Sequence, residues 1–245
     1  MNRVAFSVFG VDVMWYGILI AIAMVIAISI SLKESKRVGL KEEDIIDLSL
    51  FLIPLGVIGA RIYYVIFSWE EYSSNLMDIF NIRGGGLAIH GGIIAGILTG
   101  IVFSKIRKID FFKLADTVVL GVPLAQSIGR WGNFINQEAH GGPTNLPWGI
   151  MIDGQRVHPT FLYESIWDLS IFLFIFLRRK KKKYEGYIIV EYITLYSLGR
   201  FFIEGLRTDS LMLGPIRMAQ FVSLLGVVVG VVLHIILSKR SKNGI

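Results

Sequence analysis

The segment 129–141 reads Gly-Arg-Trp-Gly-Asn-Phe-Ile-Asn-Gln-Glu-Ala-His-Gly, and it places a cation, amides and a carboxylate beside stretches apolar enough to cross a membrane. Such groups are costly next to a bilayer, and where they occur they usually mark a binding or catalytic site. Arginine offers a planar, permanently charged fork that matches phosphate or carboxylate. The segment therefore predicts a polar, anion-handling site at the end of a membrane-spanning helix.

Polar side chains recur toward the same end of five other predicted helices. Because successive membrane helices alternate in direction, these side chains should meet at one depth below the outer surface. An enclosed polar cavity satisfies such groups better than lipid does, and binding or catalysis is the usual reason for building one. The residues that the pattern brings together are Tyr16, Arg61, Tyr63, His90, Gln126, Arg130, Glu164, Arg200, Glu204 and Arg207.

Three charged residues of the sixth predicted helix, Arg200, Glu204 and Arg207, follow the spacing i, i+4, i+7. They lie within about 60° of one another around the helix axis, so Glu204 can pair with either arginine. One interpretation is a salt-bridged stripe that only stabilises the helix. The other is an anion site, because two arginines against one carboxylate leave positive charge in excess.

His90 lies in a glycine-rich stretch, 84–92, at the start of the third predicted helix. A single histidine near a helix end is often a hydrogen-bonded structural residue. Beside several arginines, a neutral imidazole could instead accept a proton from a nucleophile. The four histidines of the chain lack metal-ligand spacing. We therefore predict no metal site, and nothing in the sequence calls for a cofactor.

The composition is that of an integral membrane protein. Of the 245 residues, 53% are hydrophobic and 18% are charged. The chain contains no cysteine, so any thiol chemistry has to use a thiol of the substrate. The net charge is +6, and the lysines cluster beside apolar spans, where they act as topology signals. For this reason we expect no nucleic-acid partner.

Hydropathy predicts an all-α polytopic membrane protein, because about 20 apolar residues cross a bilayer as a helix. Basic clusters at alternate connections place the N-terminus outside the cell and the C-terminus in the cytoplasm. We expect one integral membrane domain, 1–245, with a small extracytoplasmic head, 131–159, between the fourth and fifth helices. The seven predicted transmembrane helices are roughly 12–32, 45–67, 86–104, 111–130, 160–177, 186–204 and 216–237.

Several short motifs accompany the segment 129–141. They are 15–17 (Trp-Tyr-Gly), 59–61 (Gly-Ala-Arg), 90–92 (His-Gly-Gly), 158–159 (His-Pro), 163–164 (Tyr-Glu) and 199–204 (Gly-Arg-Phe-Phe-Ile-Glu) with Arg207. Together with the long match over 129–136 and 138–141, they give the chain a resemblance to the prolipoprotein diacylglyceryl transferases of bacteria along nearly its whole length.

The resemblance implies a seven-helix enzyme of the bacterial inner, or only, cell membrane. It would transfer the diacylglyceryl group of phosphatidylglycerol to the lipobox cysteine thiol of a prolipoprotein signal peptide, forming a thioether and releasing glycerol phosphate in the first step of lipoprotein maturation. The implied partners are phosphatidylglycerol, that signal peptide and membrane lipids. The important residues of the family carry over to Tyr16, His90, Arg130, Asn133, Glu138, Gly141, Glu164, Arg200, Glu204 and Arg207.

Each residue then has an expected role in this reaction. His90 would act as base on the thiol, and Arg130 and Arg200 would clamp the phosphate most strongly in the transition state. The residues expected to be catalytic are His90, Arg130, Arg200 and Tyr16. The residues expected to bind substrate are Arg130, Asn133, Glu138, Gly141, Glu164, Glu204, Arg207 and Arg61.

Two other classes of protein fit part of the pattern. A transporter or flippase for an anionic lipid or solute would also need a polar cavity with arginines, but the sequence has no internal repeat of the kind common in transporters. A membrane receptor or scaffold would explain the outer head but not the convergence of charged residues.

Overall fold

The computed structural model describes residues 2–242, which are mostly helical. The chain divides into two compact units, Leu32–Ala115 and the combination of Met1–Ser31 with Asp116–Ile245. The helices are α1 (Trp15–Val38), α2 (Glu42–Phe67), α3 (Trp69–Tyr72), α4 (Ile89–Arg107), α5 (Phe111–Val119), α6 (Val122–Asn136), α7 (Thr160–Arg178), α8 (Tyr187–Glu204) and α9 (Met218–Lys242), with 3-10 turns at Leu76–Phe80, Ile82–Gly84 and Arg179–Lys181.

Five of the helices described in residues 2–242 are long and apolar enough to cross a membrane, namely α1, α2, α4, α7 and α9. The prediction of one continuous helix over 111–130 is wrong, because this stretch belongs to two helices, α5 and α6, bent by 41°. One local feature and one tertiary contact accompany the break. Pro123 in the first turn of α6 lacks an amide hydrogen, and a Cβ at Gly121 would lie 2.8 Å from the backbone of Ala27 in α1. If the bent pair is counted as one span, the described residues contain up to six candidate membrane spans.

Three antiparallel hairpins were not foreseen by the all-α prediction. They are formed by β1 (Val4–Val8) with β2 (Val11–Met14), β3 (Ile150–Ile152) with β4 (Gln155–Val157), and β5 (Met212–Leu213) with β6 (Ile216–Arg217). The first hairpin leads directly into α1, and the amide of Trp15 donates to the carbonyl of Arg3 at 3.1 Å. For this reason the first long helix begins at Trp15 rather than at the predicted residue 12.

In the unit Leu32–Ala115, α2 packs closely against α4 through glycine. A Cβ at Gly59 would lie 2.8 Å from the carbonyl oxygen of Gly91, and a Cβ at Gly91 would overlap the backbone of Gly59. At the other end of the same pair of helices, Arg107 of α4 forms ion pairs with Asp44 and Asp47 of α2. The pair is therefore joined by close backbone contact at one end and by charge at the other.

In the second unit, α6, α7, α8 and α9 pack in chain order. Ser127 of α6 and Ser165 of α7 are buried and lie 3.0 Å apart between their hydroxyl oxygens. The indole nitrogen of Trp167 donates to the carbonyl of Leu195 in α8 at 3.0 Å. Asp116 accepts the amides of Gly186 and Ile189, so its carboxylate caps the first turn of α8.

Within the segment predicted to form a head, 131–159, α6 continues to Asn136 and ends where Gln137 adopts a left-handed backbone conformation. The β3–β4 hairpin turns at Asp153 and Gly154, which both have positive φ angles, as the Asp-Gly sequence predicts. The amide of Gly142 donates to the carbonyl of Leu206 at 3.0 Å. The segment after α6 is thereby tied to the loop that follows α8.

Candidate functional site

The centre of the site is a carboxylate that holds two arginines from different helices. Glu164 of α7 is 5% exposed. Its Oε2 lies 2.8 Å from Nε of Arg130 in α6, and its Oε1 accepts a hydrogen bond from Nη1 of Arg200 in α8. We refer to this Arg130–Glu164–Arg200 arrangement as the Glu164 bridge. It joins the three helices through charge-assisted contacts, which are among the stronger polar interactions in proteins.

Each residue of the Glu164 bridge lies close to one end of its helix. Arg130 is six residues before the end of α6, whereas Glu164 is four after the start of α7 and Arg200 is four before the end of α8. At a rise of 1.5 Å per residue, these positions are about 6–9 Å along the helices from their ends. The sequence-based expectation that these three residues meet at one depth is therefore met for α6, α7 and α8.

The charged stripe of α8 pairs Glu204 mainly with Arg200, one of the two pairings that the spacing allowed, whereas Arg207 has a different main partner. Arg200 Nη2 lies 2.6 Å from Glu204 Oε2, at ion-pair distance but outside hydrogen-bond geometry. Arg207 lies 3.9 Å from both Glu204 and Glu164, and its guanidinium instead donates to both carboxylate oxygens of Asp209 at 2.9 and 2.7 Å. Asp209 was not singled out in the sequence, because it lies in the loop beyond the regular spacing of α8.

The loop pair formed by Arg207 and Asp209 shifts the ionisation of both groups. Hydrogen bonds from Arg207 hold the pKa of the Asp209 carboxyl below its usual value. Burial of Arg207 has the largest single effect and opposes its charge, but the hydrogen bond to Asp209 and the charges of Asp209, Glu164 and Glu204 together raise the pKa of Arg207. Both groups are therefore ionised near neutral pH, and Arg207 stays cationic beside the Glu164 bridge.

Asp168 is a second carboxylate of the site that sequence reasoning missed. It is 2% exposed and lies four residues, or one turn, beyond Glu164 in α7. Its Oδ2 has no hydrogen-bond partner among the described residues. The i, i+4 spacing of Glu164 and Asp168 in an otherwise apolar helix was the available signal. With Asp168 and Asp209 included, four carboxylates face three arginines, so the expected excess of positive charge is not found in this cluster.

A small cavity opens among these groups. It is lined by Arg130, Glu164, Asp168 and Arg200 together with Trp167, Tyr196 and Ile203. The hydroxyl of Tyr196 lies 3.5 Å from Nη2 of Arg130, where it accepts a hydrogen bond. The lining combines guanidinium donors with carboxylate acceptors, which is a donor set for an anionic group that also carries hydroxyls.

Tyr16, at the start of α1, belongs to the same unit and packs on α6. A Cβ at Gly132 would overlap the Tyr16 ring, so glycine is required for this contact. One turn earlier in α6, a Cβ at Gly129 would lie 3.3 Å from Ile20. The glycines of the segment 129–141 thus let α1 approach the helix face that carries Arg130, and Tyr16 is 38% exposed there.

The remaining residues of segment 129–141 organise the end of α6. Glu138 accepts hydrogen bonds from the side-chain amides of Asn133 at 3.0 Å and Asn136 at 3.2 Å. Gly141 is buried where two segments cross, and a Cβ there would lie 2.6 Å from Cβ of His158. These contacts hold the segment after α6 against the end of that helix, and binding of substrate by Asn133, Glu138 and Gly141 stays a prediction.

His90 lies in the unit Leu32–Ala115, in the first turn of α4. It is exposed, and its ring centroid is 6.0 Å from that of Tyr63 in α2. Its imidazole is therefore accessible within this unit, as a base requires, and its role as base stays a prediction.

Arg61, also in this unit, has contacts that argue against the expected role in substrate binding. It is 6% exposed, and its guanidinium donates to five backbone carbonyls, those of Asp78, Ile79, Asn81, Gly85 and Gly86. A guanidinium has five N–H donors. Because all five are engaged, none remains for a substrate phosphate. The contacts are those of a structural residue that folds the loop 78–86 onto α2.

The fold and the site define a class: a polytopic helical membrane protein with an arginine pair bridged by one buried carboxylate. The family model described as prolipoprotein diacylglyceryl transferase matches residues 3–236. The chain belongs to this family, as its motifs predicted.

Three relatives illustrate the similarity, and each carries the name phosphatidylglycerol–prolipoprotein diacylglyceryl transferase. The chain is 65% identical over 245 residues to the protein of Clostridioides difficile, covering 100% of this chain and 99% of the relative. It is 50% identical over 241 residues to the protein of Finegoldia magna, covering 98% of this chain and 97% of that relative. It is 51% identical over 255 aligned positions to transferase 1 of Clostridium perfringens, covering 99% of this chain and 97% of that relative.

Proposed function

We propose that the protein transfers the diacylglyceryl group of phosphatidylglycerol to the lipobox cysteine thiol of a prolipoprotein signal peptide. The names of the relatives specify both kinds of substrate. The observation that carries the proposal is the Glu164 bridge. It fixes two guanidinium groups on one buried carboxylate and leaves several of their N–H donors available to a phosphate.

The proposed reaction is a displacement at a glycerol carbon. The thiolate sulfur forms a bond to that carbon, the carbon–oxygen bond to phosphate breaks, and the electron pair leaves on the phosphate oxygen of glycerol phosphate. Arg130 and Arg200 stabilise the charge that develops on this oxygen. Because the chain has no cysteine, the thiol of the peptide has no competitor within the protein.

The thiol must lose a proton before or during attack. Free cysteine has a pKa of about 8.5, so a base increases the thiolate fraction at neutral pH. We assign to His90 the role of accepting this proton, on the basis of the family resemblance and of its exposed position in α4. Tyr16 and Asn133 are assigned to the headgroup, and Glu204 and Arg207 to the positioning of Arg200.

We further propose a single membrane domain of seven spans. The seventh span is α8, an otherwise apolar helix that carries three charged residues, Glu191, Arg200 and Glu204. The N-terminus and the head, 131–159, would lie outside the cell and the C-terminus in the cytoplasm, in the bacterial cell membrane. The basic ends of α7 and α9 support this orientation.

The direct test is an assay with purified protein in phosphatidylglycerol-containing nanodiscs and a synthetic lipobox peptide. Mass spectrometry should find the peptide heavier by one diacylglyceryl group, together with free glycerol phosphate. A peptide with serine in place of cysteine is the matched control and should stay unmodified. If a relative of this family forms product under the same conditions and this protein forms none, the proposal is wrong. Lipid scrambling without product would favour the flippase alternative.

A further inference from the structure

Asp168 is the one carboxylate of the cluster that the described arginines leave without an ion pair. Glu164 forms ion pairs with Nε of Arg130 and Nη1 of Arg200. Glu204 forms an ion pair with Nη2 of Arg200, and Asp209 forms one with Arg207. Oδ2 of Asp168 is buried and has no hydrogen-bond partner among residues 2–242. A buried acceptor left unsatisfied is destabilising, and its presence in a folded protein calls for an explanation such as a catalytic role or a bound partner.

The position of Asp168 indicates what kind of group could serve as the missing hydrogen-bond partner of its carboxylate. The carboxylate lines the same cavity as Arg130 and Arg200. It lies one helical turn, about 6 Å along α7, from Glu164. A phosphate oxygen cannot satisfy Asp168, because a carboxylate needs a donor. The missing partner is therefore an N–H or O–H group, and a ligand whose phosphate lies between the two arginines can supply one that is a few bonds from the phosphate.

We propose that Asp168 binds a hydroxyl of the phospholipid headgroup and so selects lipids with a polyol headgroup. The inference rests on the proposed function, because that function brings a phosphate to Arg130 and Arg200. The glycerol headgroup of phosphatidylglycerol carries two hydroxyls within three carbons of the phosphate. One of them donates to Oδ2 of Asp168 while the guanidinium groups hold the phosphate. Asp168 then determines headgroup specificity, whereas the arginines recognise any phosphodiester.

The test compares two lipids that differ in the hydroxyls. Phosphatidylglycerol and phosphatidylethanol are both anionic phosphodiesters, but the second headgroup has no hydroxyl. The wild-type protein should use phosphatidylglycerol roughly tenfold or more better in kcat/KM, because the lipid without a hydroxyl leaves Asp168 unsatisfied. Asp168→Leu should bring the ratio of the two kcat/KM values close to one, mainly by reducing activity with phosphatidylglycerol.

Two further variants separate acceptor chemistry from packing. Asp168→Asn keeps a carbonyl oxygen and should retain most of the preference for phosphatidylglycerol. Asp168→Ala removes the acceptor without crowding the cavity, and it replaces Asp168→Leu if the larger side chain prevents folding. Asp153→Asn, in the exposed β3–β4 turn, is the control for loss of a carboxylate and should leave both the activity and the ratio unchanged.

The same proteins are examined by native mass spectrometry for retained lipid, which separates this inference from the proposed function. If the wild type makes no thioether, the proposed function fails, and the lipid preference in binding still tests Asp168. A preference that is unchanged in Asp168→Leu or Asp168→Ala overturns the inference, and so does equal loss in Asp168→Asn and Asp168→Ala. Stronger retention of phosphatidylethanolamine than of phosphatidylglycerol also overturns it, because Asp168 would then select an ammonium group.

Discussion

At the residue scale, the geometry of Glu164 explains why arginine rather than lysine occupies positions 130 and 200. Arg200 directs Nη1 to Glu164 and Nη2 to Glu204, so its planar fork reaches two carboxylates from two helices. A lysine ammonium is a point charge on a flexible stem and cannot hold both at once while donating to a phosphate. The fork also keeps the remaining N–H groups in a fixed direction.

We therefore expect Arg200→Lys to reduce transfer by at least about tenfold, because charge is kept but fixed orientation is lost. The measurement is kcat and KM for phosphatidylglycerol in the peptide assay. Arg240→Lys, at the exposed end of α9, is the matched control and should behave as wild type. Near-normal transfer by Arg200→Lys would show that charge alone suffices at this position.

The pair of Arg207 and Asp209 makes a pH-dependent contribution to stability. The pKa of Asp209 lies below its ordinary value of 3.8 in the folded protein. The contribution is therefore complete above that ordinary value and is lost as the pH falls through the lower, folded-state pKa. Because the Asp209 side chain is 49% exposed, solvent screening limits the effect to about 0.2–1 kcal/mol.

Asp209→Asn should consequently lower thermal stability slightly at pH 7, and the difference from wild type should shrink as the pH approaches 3. Unfolding in detergent, followed by tryptophan fluorescence across this pH range, measures both trends. Asp153→Asn serves as the control, since its carboxylate is in an exposed turn. A difference that stays constant from pH 7 to pH 3 would contradict the assigned pairing.

At the scale of elements, the contact between α2 and α4 depends on glycine at specific positions. A Cβ at Gly91 would overlap the backbone of Gly59, whereas a Cβ at Gly96 would meet nothing within 4 Å in the described part of the chain. Both residues lie in the same helix, α4. The two positions thus separate the effect of close packing from the general effect of glycine on a helix.

Gly91→Ala should destabilise the protein, because backbone cannot yield as a flexible side chain does. Gly96→Ala should be neutral or should stabilise α4 by up to about 1 kcal/mol, the usual difference in helix propensity. Apparent melting temperatures of the two variants in detergent measure the effect. Equal melting temperatures would show that α2 and α4 tolerate separation at Gly91.

The elements also show where sequence reasoning succeeds and where it stops. Residue spacing in α8 predicted the contact between Arg200 and Glu204, since helix geometry alone brings i and i+4 together. The contact of Asp209 with Arg207 could not be predicted, because residues in the loop after Glu204 do not follow the regular spacing of a helix. Asp168 escaped because the rotation of α7 against α6 and α8 decides whether a lone carboxylate faces the arginines, and no local pattern encodes that rotation. The bend near Gly121 depends on a tertiary contact with Ala27.

At the scale of the whole molecule, the absence of cysteine makes the proposed topology directly measurable. Asp153→Cys introduces the only thiol in the proposed outer head, and Lys183→Cys introduces one in the proposed inner loop after α7. In intact cells or spheroplasts, a membrane-impermeant maleimide should label the Asp153→Cys protein alone. The Lys183→Cys protein should be labelled only after permeabilisation. Labelling of both in intact cells would contradict the seven-span arrangement.

The Glu164 bridge has a consequence for how the protein responds to its lipid. One N–H group of Arg130 and one of Arg200 hold α6 and α8 to α7 through Glu164, and a phosphate bound to the other N–H groups would share the positive charge of the guanidinium groups with Glu164. Lipid binding and helix association are then linked reciprocally: whatever draws an arginine toward the phosphate weakens the tie between helices, and whatever loosens that tie raises lipid affinity. Glu164 therefore sets the balance between helix association and lipid binding.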